Sequence, residues 1–335
     1  MLLQKLLGRS LPPGLLIRLA QGIWQTGWMV MMDQMAPRNA AGEYLRPESE
    51  FRHRVGLEIG AKTPFPAEFQ RYHLIVGWSC PWAHRTLIVR SLKGLQDCIP
   101  VTIVSPSPEA GGWVFETPLQ HCATLKHCAT LKQFYQTLQP GYTGRSTVPV
   151  LWDSVTETIV NNESSEIIEI LNQAFQTWAD PQAPDLYPEP LQETIDIWNQ
   201  KIYETVNNGV YRCGFAQTQT AYESACNGLF QTLAEIDAVL SQQPFLCGDS
   251  ITLADVRLFT TLIRFEVAYA GLFKCNAKPI AAYGHLYAYR RRIYNLPGMA
   301  ETCNLAAVKR DYYGNLFPLN PGGIIPVGPN LAEIL

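Results

Sequence analysis

The chain has 335 residues, which is enough for about two domains at roughly 150 residues each. Hydrophobic residues make up 47% of it, and this content excludes disorder across the whole chain. Lysine and arginine total 26 against 29 aspartates and glutamates, so the net charge of −3 provides no overall positive field for a nucleic acid.

Residues 1–60 are predicted to form an N-terminal extension. Only 14 residues, Leu19–Met32, lie between the charges of Arg18 and Asp33, and polar side chains interrupt them. This segment is too short and too polar to span a membrane as a helix. We therefore expect residues 1–32 to be amphipathic, with no membrane span.

Residues 61–176 are predicted to form an α/β domain with a mixed sheet. Short apolar or β-branched runs alternate with helical patterns in the order β-α-β-α-β-β-α. The predicted strands are 73–76, 99–104, 148–152 and 158–160, and the predicted helices are Pro81–Leu92, Leu125–Leu138 and Glu163–Phe175.

A proline-rich segment, 177–190, is predicted to be an extended linker between two domains. Residues 191–335 should form an all-helical domain with an extended tail, because apolar residues recur there at helical spacing. Thr252 and Asp255 have the spacing of a capping box, to which we assign a structural role.

No metal site is predicted. The nine cysteines show no CxxC spacing, so neither a zinc ribbon nor a dithiol redox pair is indicated, and a reducing cytoplasm fits best. The hexapeptide HCATLK occurs at 121–126 and again at 127–132. A shift of six residues places equivalent helical side chains about 240° apart, so the two His-Cys pairs should not face one metal. We interpret the repeat as a local duplication near a helix start.

The segment Gly77–Arg85 places a cysteine where a strand is predicted to end and a helix to begin. Pro81 then occupies a first-turn position, where its missing N–H costs little. The helix dipole and free backbone N–H groups would stabilise a thiolate at Cys80, and His84 could add positive charge one turn later.

Cys80 is therefore the candidate catalytic nucleophile. The alternative is a buried structural cysteine, which we favour for Cys98 and Cys226. Ala83 stands where a dithiol oxidoreductase has its second cysteine. An oxidised Cys80 would need a small external thiol to resolve it.

Several motifs resemble those of the glutaredoxin and glutathione transferase superfamily, and more closely its Xi class, the glutathionyl-hydroquinone reductases. Besides Cys80–Arg85, they are Met31–Arg38, Arg46–Arg52, Thr147–Asp153, Asn161–Ile167, Asn207–Tyr211 and Asn320–Pro321. The resemblance begins at about residue 28 and implies a thioredoxin-like N-terminal domain, an all-helical C-terminal domain and a homodimer. It also implies glutathione as co-substrate and glutathionyl-hydroquinones as substrates.

Glutathione binding is predicted for Trp113, Arg145, Val148, Pro149, Glu163 and Ser164, and the resemblance implies it for the last four. A cis Val148–Pro149 bond would turn backbone groups toward an extended peptide, whereas an ordinary edge proline is the alternative. Glu163 and Ser164 begin a helix, where they are either simple caps or a site for the γ-glutamyl end. Arg145 could clamp a carboxylate or lie on the surface, and Trp113 could wall the ligand or simply pack.

The resemblance places Tyr211 and the pair Tyr312–Tyr313 beside the hydroquinone. A phenol there could donate a hydrogen bond or a proton to the departing phenolate. Buried tyrosines more often pack with their hydroxyls satisfied, and the sequence leaves open which of Tyr312 and Tyr313 faces the site.

These residues predict an enzyme that reduces glutathionyl-hydroquinones through a Cys80–glutathione mixed disulfide, which a second glutathione resolves. Two alternatives stay open. Another cysteine-type glutathione transferase, with thioltransferase or dehydroascorbate reductase activity, would share Cys80 but lack an aromatic acceptor pocket. A non-enzymatic interaction module would have no need of a capped reactive thiol.

Overall fold

A five-stranded mixed sheet organises the first part of the chain, in a computed structural model that describes residues 12–56, 63–119, 122 and 124–334. Its strands are β1 Tyr72–Val76, β2 Val101–Ser107, β3 Gly112–Phe115, β4 Val150–Asp153 and β5 Thr158–Asn161, in the order β3-β2-β1-β4-β5. Strand β1 pairs parallel with β2 and antiparallel with β4, and both outer pairs are antiparallel. The predicted α/β domain with a mixed sheet is confirmed.

Strand β3 is the one element of this sheet that the sequence did not predict. It has only four residues, begins at a glycine and pairs with β2 at the edge of the sheet. Such a short segment carries little periodicity of its own, so its pairing depends on the neighbouring strand.

The helices of the first part are α1 Pro13–Met35, α2 Pro81–Leu92, α3 Leu131–Leu138 and α4 Ser164–Gln173. Helix α2 has the predicted bounds. Helix α3 starts later than predicted because Thr130 and Gln133 form a capping box, in which the Thr130 hydroxyl accepts the Gln133 N–H at 3.1 Å. Residues 124–127 of the duplicated segment form turns, while His121 and Ala123 lie outside the described residues.

The two cysteines of the duplication have separate partners. The Cys122 thiol donates to a Glu157 carboxylate oxygen at 3.3 Å, whereas Cys128 Sγ lies 3.6 Å from the Thr137 hydroxyl. Among the described residues, no group of three His, Cys, Asp or Glu side chains is arranged to hold a metal ion.

The second part of the chain is helical, as predicted. Its helices are α5 Gln192–Ile202, α6 Gly209–Gly214, α7 Gln219–Leu240, α8 Leu253–Leu262, α9 Ala270–Leu272, α10 Gly284–Tyr294, α11 Leu305–Asn315 and α12 Leu331–Ile334. A π-helical turn at Tyr203–Asn207 lies between α5 and α6, and another at Phe265–Tyr269 lies before α9. The capping box of Thr252 and Asp255 is present at the start of α8. Across the described ranges, no helix is long and apolar enough to cross a bilayer.

Residues 49–54 of the extension lie along the sheet and the start of α4. Arg52 forms a bridge with Asn161 at the end of β5, and the His53 N–H donates to the Val160 carbonyl at 2.9 Å. The Ser49 hydroxyl donates to a Glu163 carboxylate oxygen at 3.0 Å. These bonds bring the extension to the start of α4.

The two parts of the chain meet at helix α2 and the turn before it. Arg85 on α2 donates to the side-chain oxygens of Asn207 at 2.6 Å and Ser164 at 3.3 Å. Arg264, just beyond α8, donates to the carbonyls of Trp78 at 3.0 Å and Ser79 at 3.2 Å. The helical part therefore fixes the turn that carries Cys80.

Candidate active site

Cys80 is the N-cap of α2. Strand β1 ends at Val76, and a turn then places the cysteine with extended backbone just before the helix. Its Sγ lies 3.5 Å from the Ala83 N–H, which donates to it, and 3.5 Å from the Val148 carbonyl, which accepts the thiol proton. The predicted position at a helix N-terminus is confirmed.

The predicted acidity of this thiol is not what its surroundings favour. Burial raises the pKa of Cys80 above its ordinary value, and the Ala83 N–H and the charges of Arg46 and Arg264 offset only part of this. His84 does not supply the expected charge, because burial and the neighbouring Arg264 lower its pKa well below the ordinary value. The Cys80 thiol donates to the Val148 carbonyl in this geometry.

Arg264 holds His84 and the Cys80 turn in one network. Its Nη1 lies 2.8 Å from Nδ1 of His84, and the other imidazole nitrogen lies 2.9 Å from the Thr302 hydroxyl. Arg264 is 1% exposed, so its guanidinium is fully committed to these contacts and to backbone carbonyls. Sequence reasoning missed this arginine because its partners lie about 180 residues away.

A smaller, polar cavity of about 160 Å³ opens beside Cys80. It is lined by Arg46, Ser49, Glu50, Tyr142, Arg145, Thr147, Val148, Pro149, Asn162, Glu163 and Ser164, among others. The Val148–Pro149 bond is cis. The structure thus brings five of the six predicted glutathione-site residues to one cavity.

Glu163 contributes negative charge to this cavity. Burial alone would raise its pKa, but hydrogen bonds from the Ser165 N–H and hydroxyl and from Ser49 outweigh it and lower the pKa below the ordinary value. The carboxylate caps α4, so the capping role and the cavity-lining position coexist. An ionised carboxylate beside a helix N-terminus suits a ligand end that carries both an ammonium and a carboxylate group.

A larger, mainly aromatic cavity of about 300 Å³ adjoins the first. Its ring-bearing walls are Tyr44, Trp82, Trp113, Tyr211, Phe215 and Tyr312, and Cys80 also lines it. Trp113, the sixth predicted glutathione-site residue, lies here against Gly77, where any β-carbon would overlap its ring. Because Gly77 has no side chain, the indole ring of Trp113 can pack directly against its backbone and line the cavity.

Arg46 and Arg145 line both cavities. The guanidinium of Arg46 stacks on the Trp82 ring, with its central carbon 3.9 Å from the ring centroid. Two cations at the junction can bind a carboxylate whose ligand spans both cavities. Arg145 was predicted, whereas Arg46 was missed, since in the sequence it is one arginine of an extension.

Three tyrosine hydroxyls form a cluster, and two of its members, Tyr211 and Tyr312, line the aromatic cavity. The Tyr211 and Tyr312 oxygens are 2.6 Å apart, and the Tyr269 and Tyr312 oxygens are 3.2 Å apart. Burial raises the pKa of all three phenols, so they are protonated and able to donate. Tyr269 was missed by sequence reasoning, because nothing local distinguishes it from a core tyrosine.

Of the C-terminal tyrosine pair, Tyr312 lines the cavity. The hydroxyl of Tyr313 lies instead against the backbone of Gly271, 2.5 Å from where a β-carbon would stand. Consecutive residues on helix α11 point about 100° apart, so only one of the two can face the cavity.

Comparisons with known proteins agree with this arrangement. The family described as "Glutathione S-transferase, N-terminal domain" matches residues 79–174, and "Glutathione S-transferase, C-terminal domain" matches residues 219–292. The glutathionyl-hydroquinone reductase YqjG of Escherichia coli (strain K12) is 43% identical over 319 residues, covering 93% of this chain and 95% of its own.

Solved structures give the same result. The glutathione S-transferase Xi from Phanerochaete chrysosporium has a TM-score of 0.79 and 42% identity, and the match covers 87% of this chain and 94% of that one. The glutathione-bound structure of Escherichia coli YqjG has a TM-score of 0.78 and 44% identity, with 84% and 94% covered. The chain therefore belongs to the glutathione transferase family and, within it, to the Xi class of glutathionyl-hydroquinone reductases.

Proposed function

We propose that the protein reduces glutathionyl-hydroquinones to hydroquinones with glutathione as co-substrate. The observation that carries this proposal is that the half-buried Cys80 lines the aromatic cavity and donates to the carbonyl of Val148, a residue that lines both cavities. The polar cavity fits a glutathionyl group, the aromatic cavity fits a planar ring, and Cys80 lies where the sulfur joining the two would be. A similar protein of Escherichia coli carries this activity in its name.

The glutathionyl group binds through its peptide backbone and its two charged ends. Glu163 and Ser164, at the start of α4, receive the γ-glutamyl end, while Val148 presents backbone groups outside the sheet ladder to the cysteinyl residue. The guanidinium groups of Arg145 and Arg46 bind the carboxylate of the glycine residue where the two cavities adjoin. The conjugate's sulfur then faces Cys80.

The reaction exchanges one sulfur bond for another. The Cys80 thiolate attacks the conjugate's glutathione sulfur, so that a sulfur–sulfur bond forms while the bond between sulfur and ring carbon breaks. The ring carbon keeps the electron pair and takes up a proton, which yields the hydroquinone. A second glutathione thiolate attacks the mixed disulfide, forms glutathione disulfide and frees Cys80.

The tyrosine cluster stabilises the leaving ring. Negative charge develops on the ring and its oxygens as the carbon–sulfur bond breaks, and the protonated hydroxyls of Tyr211 and Tyr312 stand at the wall that faces it. Tyr269 holds Tyr312 in place through the third hydroxyl. Tyr313 takes no part in this step, because its hydroxyl lies against Gly271.

Activity measurements on the purified protein test the proposal. A panel of glutathionyl-hydroquinones is compared with a small mixed disulfide of glutathione and with dehydroascorbate, in the presence of glutathione. We expect the aromatic conjugates to be turned over much faster than the two small acceptors, because only they fill the aromatic cavity. Preference for the small acceptors would instead favour the thioltransferase or dehydroascorbate reductase alternative, and no turnover in any assay would favour a binding module.

We further propose a homodimer that works in the cytoplasm and requires no metal. All nine cysteines are free thiols, which suits a reducing compartment. Analytical ultracentrifugation tests the dimer, and turnover after dialysis against a chelator tests metal independence. A monomer at working concentration, or activity lost to the chelator and restored by a metal, would contradict the respective statement.

A further inference from the structure

A third cavity, the outer groove, adjoins the aromatic cavity. It has a volume of about 630 Å³ and lies between residues 105–109, at the end of β2, and the last turns of α11. Pro106, Asp311 and Asn315 line both the outer groove and the aromatic cavity. In the part of the chain that the structure describes, no residue lines both the outer groove and the polar cavity. The aromatic cavity therefore lies between the polar cavity, which fits a glutathionyl group, and the outer groove.

Asp311 stands at the boundary between the aromatic cavity and the outer groove. Its side chain is only 6% exposed, and the Arg310 Nε donates to its Oδ1 at 3.0 Å. The Ser79 hydroxyl also bonds to this carboxyl group, and Ser79 directly precedes Cys80. Burial raises the pKa of Asp311, whereas the bonds from Ser79 and Arg310 favour its charged form. A carboxylate has about four lone-pair positions, so Asp311 can accept a further hydrogen bond from a substrate.

The charge of the outer groove favours hydrogen-bond donors over anions. The described residues that line it include three carboxylates and one guanidinium, those of Glu109, Glu116, Asp311 and Arg310. The guanidinium is paired with Asp311, and the Ser105 hydroxyl already donates to Glu116. An ammonium or hydroxyl group that enters the groove would find acceptors, whereas a carboxylate would meet like charges.

We propose that the outer groove receives a side chain of the hydroquinone ring, and that Asp311 selects side chains with an amino or hydroxyl group over those with a carboxylate. This inference rests on the proposed function, because it extends the same acceptor site. With the glutathionyl group in the polar cavity and the ring in the aromatic cavity, a side chain on the far side of the ring passes Asp311 and enters the groove. Asp311 is then a specificity-determining residue.

Turnover of matched conjugates tests this selection. The probes are the glutathionyl conjugates of aminopropyl-, butyl- and carboxyethyl-hydroquinone, whose side chains have similar lengths, and of methylhydroquinone as a short reference. We expect kcat/KM to be about tenfold or more higher for the aminopropyl than for the carboxyethyl conjugate, with the butyl conjugate between them. An equal or higher value for the carboxyethyl conjugate would overturn the proposal. No turnover of any conjugate, methylhydroquinone included, would contradict the proposed function and this inference with it.

Asp311→Asn removes the charge and keeps the shape of the side chain. We expect the ratio of kcat/KM for the aminopropyl conjugate to that for the carboxyethyl conjugate to fall about tenfold, because the variant no longer repels the carboxylate or attracts the ammonium. A purely structural defect would lower both values together and leave their ratio as it is in the native chain. An unchanged ratio would therefore overturn the proposal.

Gly314 provides an independent test of whether the groove is occupied. It lines the groove near the end of α11, and a β-carbon there would meet no described atom within 4 Å. Gly314→Leu should therefore fold and narrow the groove, and we expect kcat/KM for the aminopropyl conjugate to fall about tenfold relative to methylhydroquinone. Gly228→Leu makes the same change at an equally open position of α7, outside the described linings of the three cavities, and should leave that ratio unchanged. Equal effects of the two variants, or no change in Gly314→Leu, would overturn the proposal.

Discussion

At the scale of single residues, the reactivity of Cys80 depends on access more than on acidity. Cys80 and Cys303 are half-buried, and the other seven cysteines are buried. Cys213 has a pKa below the ordinary value because its thiol bonds to Cys275, but it is only 2% exposed. A reagent in solution therefore reaches Cys80 more easily than the more acidic thiol.

Alkylation with iodoacetamide tests this balance. Because burial raises the pKa of Cys80, its thiolate fraction should keep rising with pH beyond about 8.5, the ordinary value for a free cysteine. We expect mass mapping to find Cys80 labelled first, at a rate that still increases above that pH. First labelling of Cys213, or a rate already constant below pH 7, would contradict this expectation.

Cys80→Ser should abolish turnover, since a hydroxyl is a far weaker nucleophile toward sulfur.

Tyr211 provides the sharpest test of the acceptor site. Tyr211→Phe removes one donor to the charge that develops on the ring, and a donor of this kind is worth about 2.7 to 4 kcal/mol. We expect kcat for a glutathionyl-hydroquinone to fall by about 10²- to 10³-fold, with glutathione affinity and Cys80 alkylation almost unchanged. Tyr313→Phe is the matched control and should keep nearly full activity, because its hydroxyl lies outside the cavity. Equal effects of the two variants would remove the tyrosine cluster from the mechanism.

At the scale of secondary-structure elements, the two capping boxes, at Thr130 and at Thr252, differ in how deeply they are buried. Thr130 caps α3 at a half-buried site, whereas Thr252 caps α8 at a site that is 1% exposed. The carboxylate of Asp255 accepts from the Thr252 N–H and hydroxyl, the Leu246 N–H and the Tyr289 hydroxyl. The second box is thus the centre of a buried network.

Replacement of the two caps should therefore have unequal effects. Thr130→Ala should lower the free energy of unfolding by about 0.5 to 1 kcal/mol, and Thr252→Ala by about 2 kcal/mol, at the upper end of the range for N-caps, because a buried carboxylate loses a donor. Urea unfolding of both variants measures the difference. Equal losses would show that burial adds nothing to the second cap.

At the scale of the whole molecule, the positions of the cysteines determine which thiol resolves the Cys80–glutathione mixed disulfide. Ala83 stands where a second motif cysteine would be, and Cys303, the other half-buried thiol, has its Sγ 3.8 Å from the His84 ring nitrogen. Incubation with a conjugate and no free glutathione should leave one glutathione adduct on Cys80, stable until thiol is added. Intact-mass measurement and peptide mapping detect the adduct. An intramolecular disulfide would mean that one of the other eight cysteines resolves the intermediate.

Patterns in the sequence were sufficient to establish the class of both parts of the chain and the location of the nucleophile. Strand and helix patterns are local, so the mixed sheet, the helical second part and the start of α2 at Pro81 followed from residues close together in the chain. The polar cavity was also largely predictable from the family resemblance, because Val148–Pro149 and Glu163–Ser164 belong to short motifs that carry it.

Features that depend on residues far apart in the chain became evident only in the folded protein. Arg46 from the extension, Tyr269 from the second π-helical turn and Arg264 reach the site only through folding. The choice of Tyr312 over Tyr313 depends on the rotation of α11 against its neighbours, and the raised pKa of Cys80 depends on burial that a dipole argument does not count. Local sequence patterns determine secondary structure and motifs. The exposure of a side chain, the pKa of a buried group and the direction in which a side chain points depend on how the whole molecule packs.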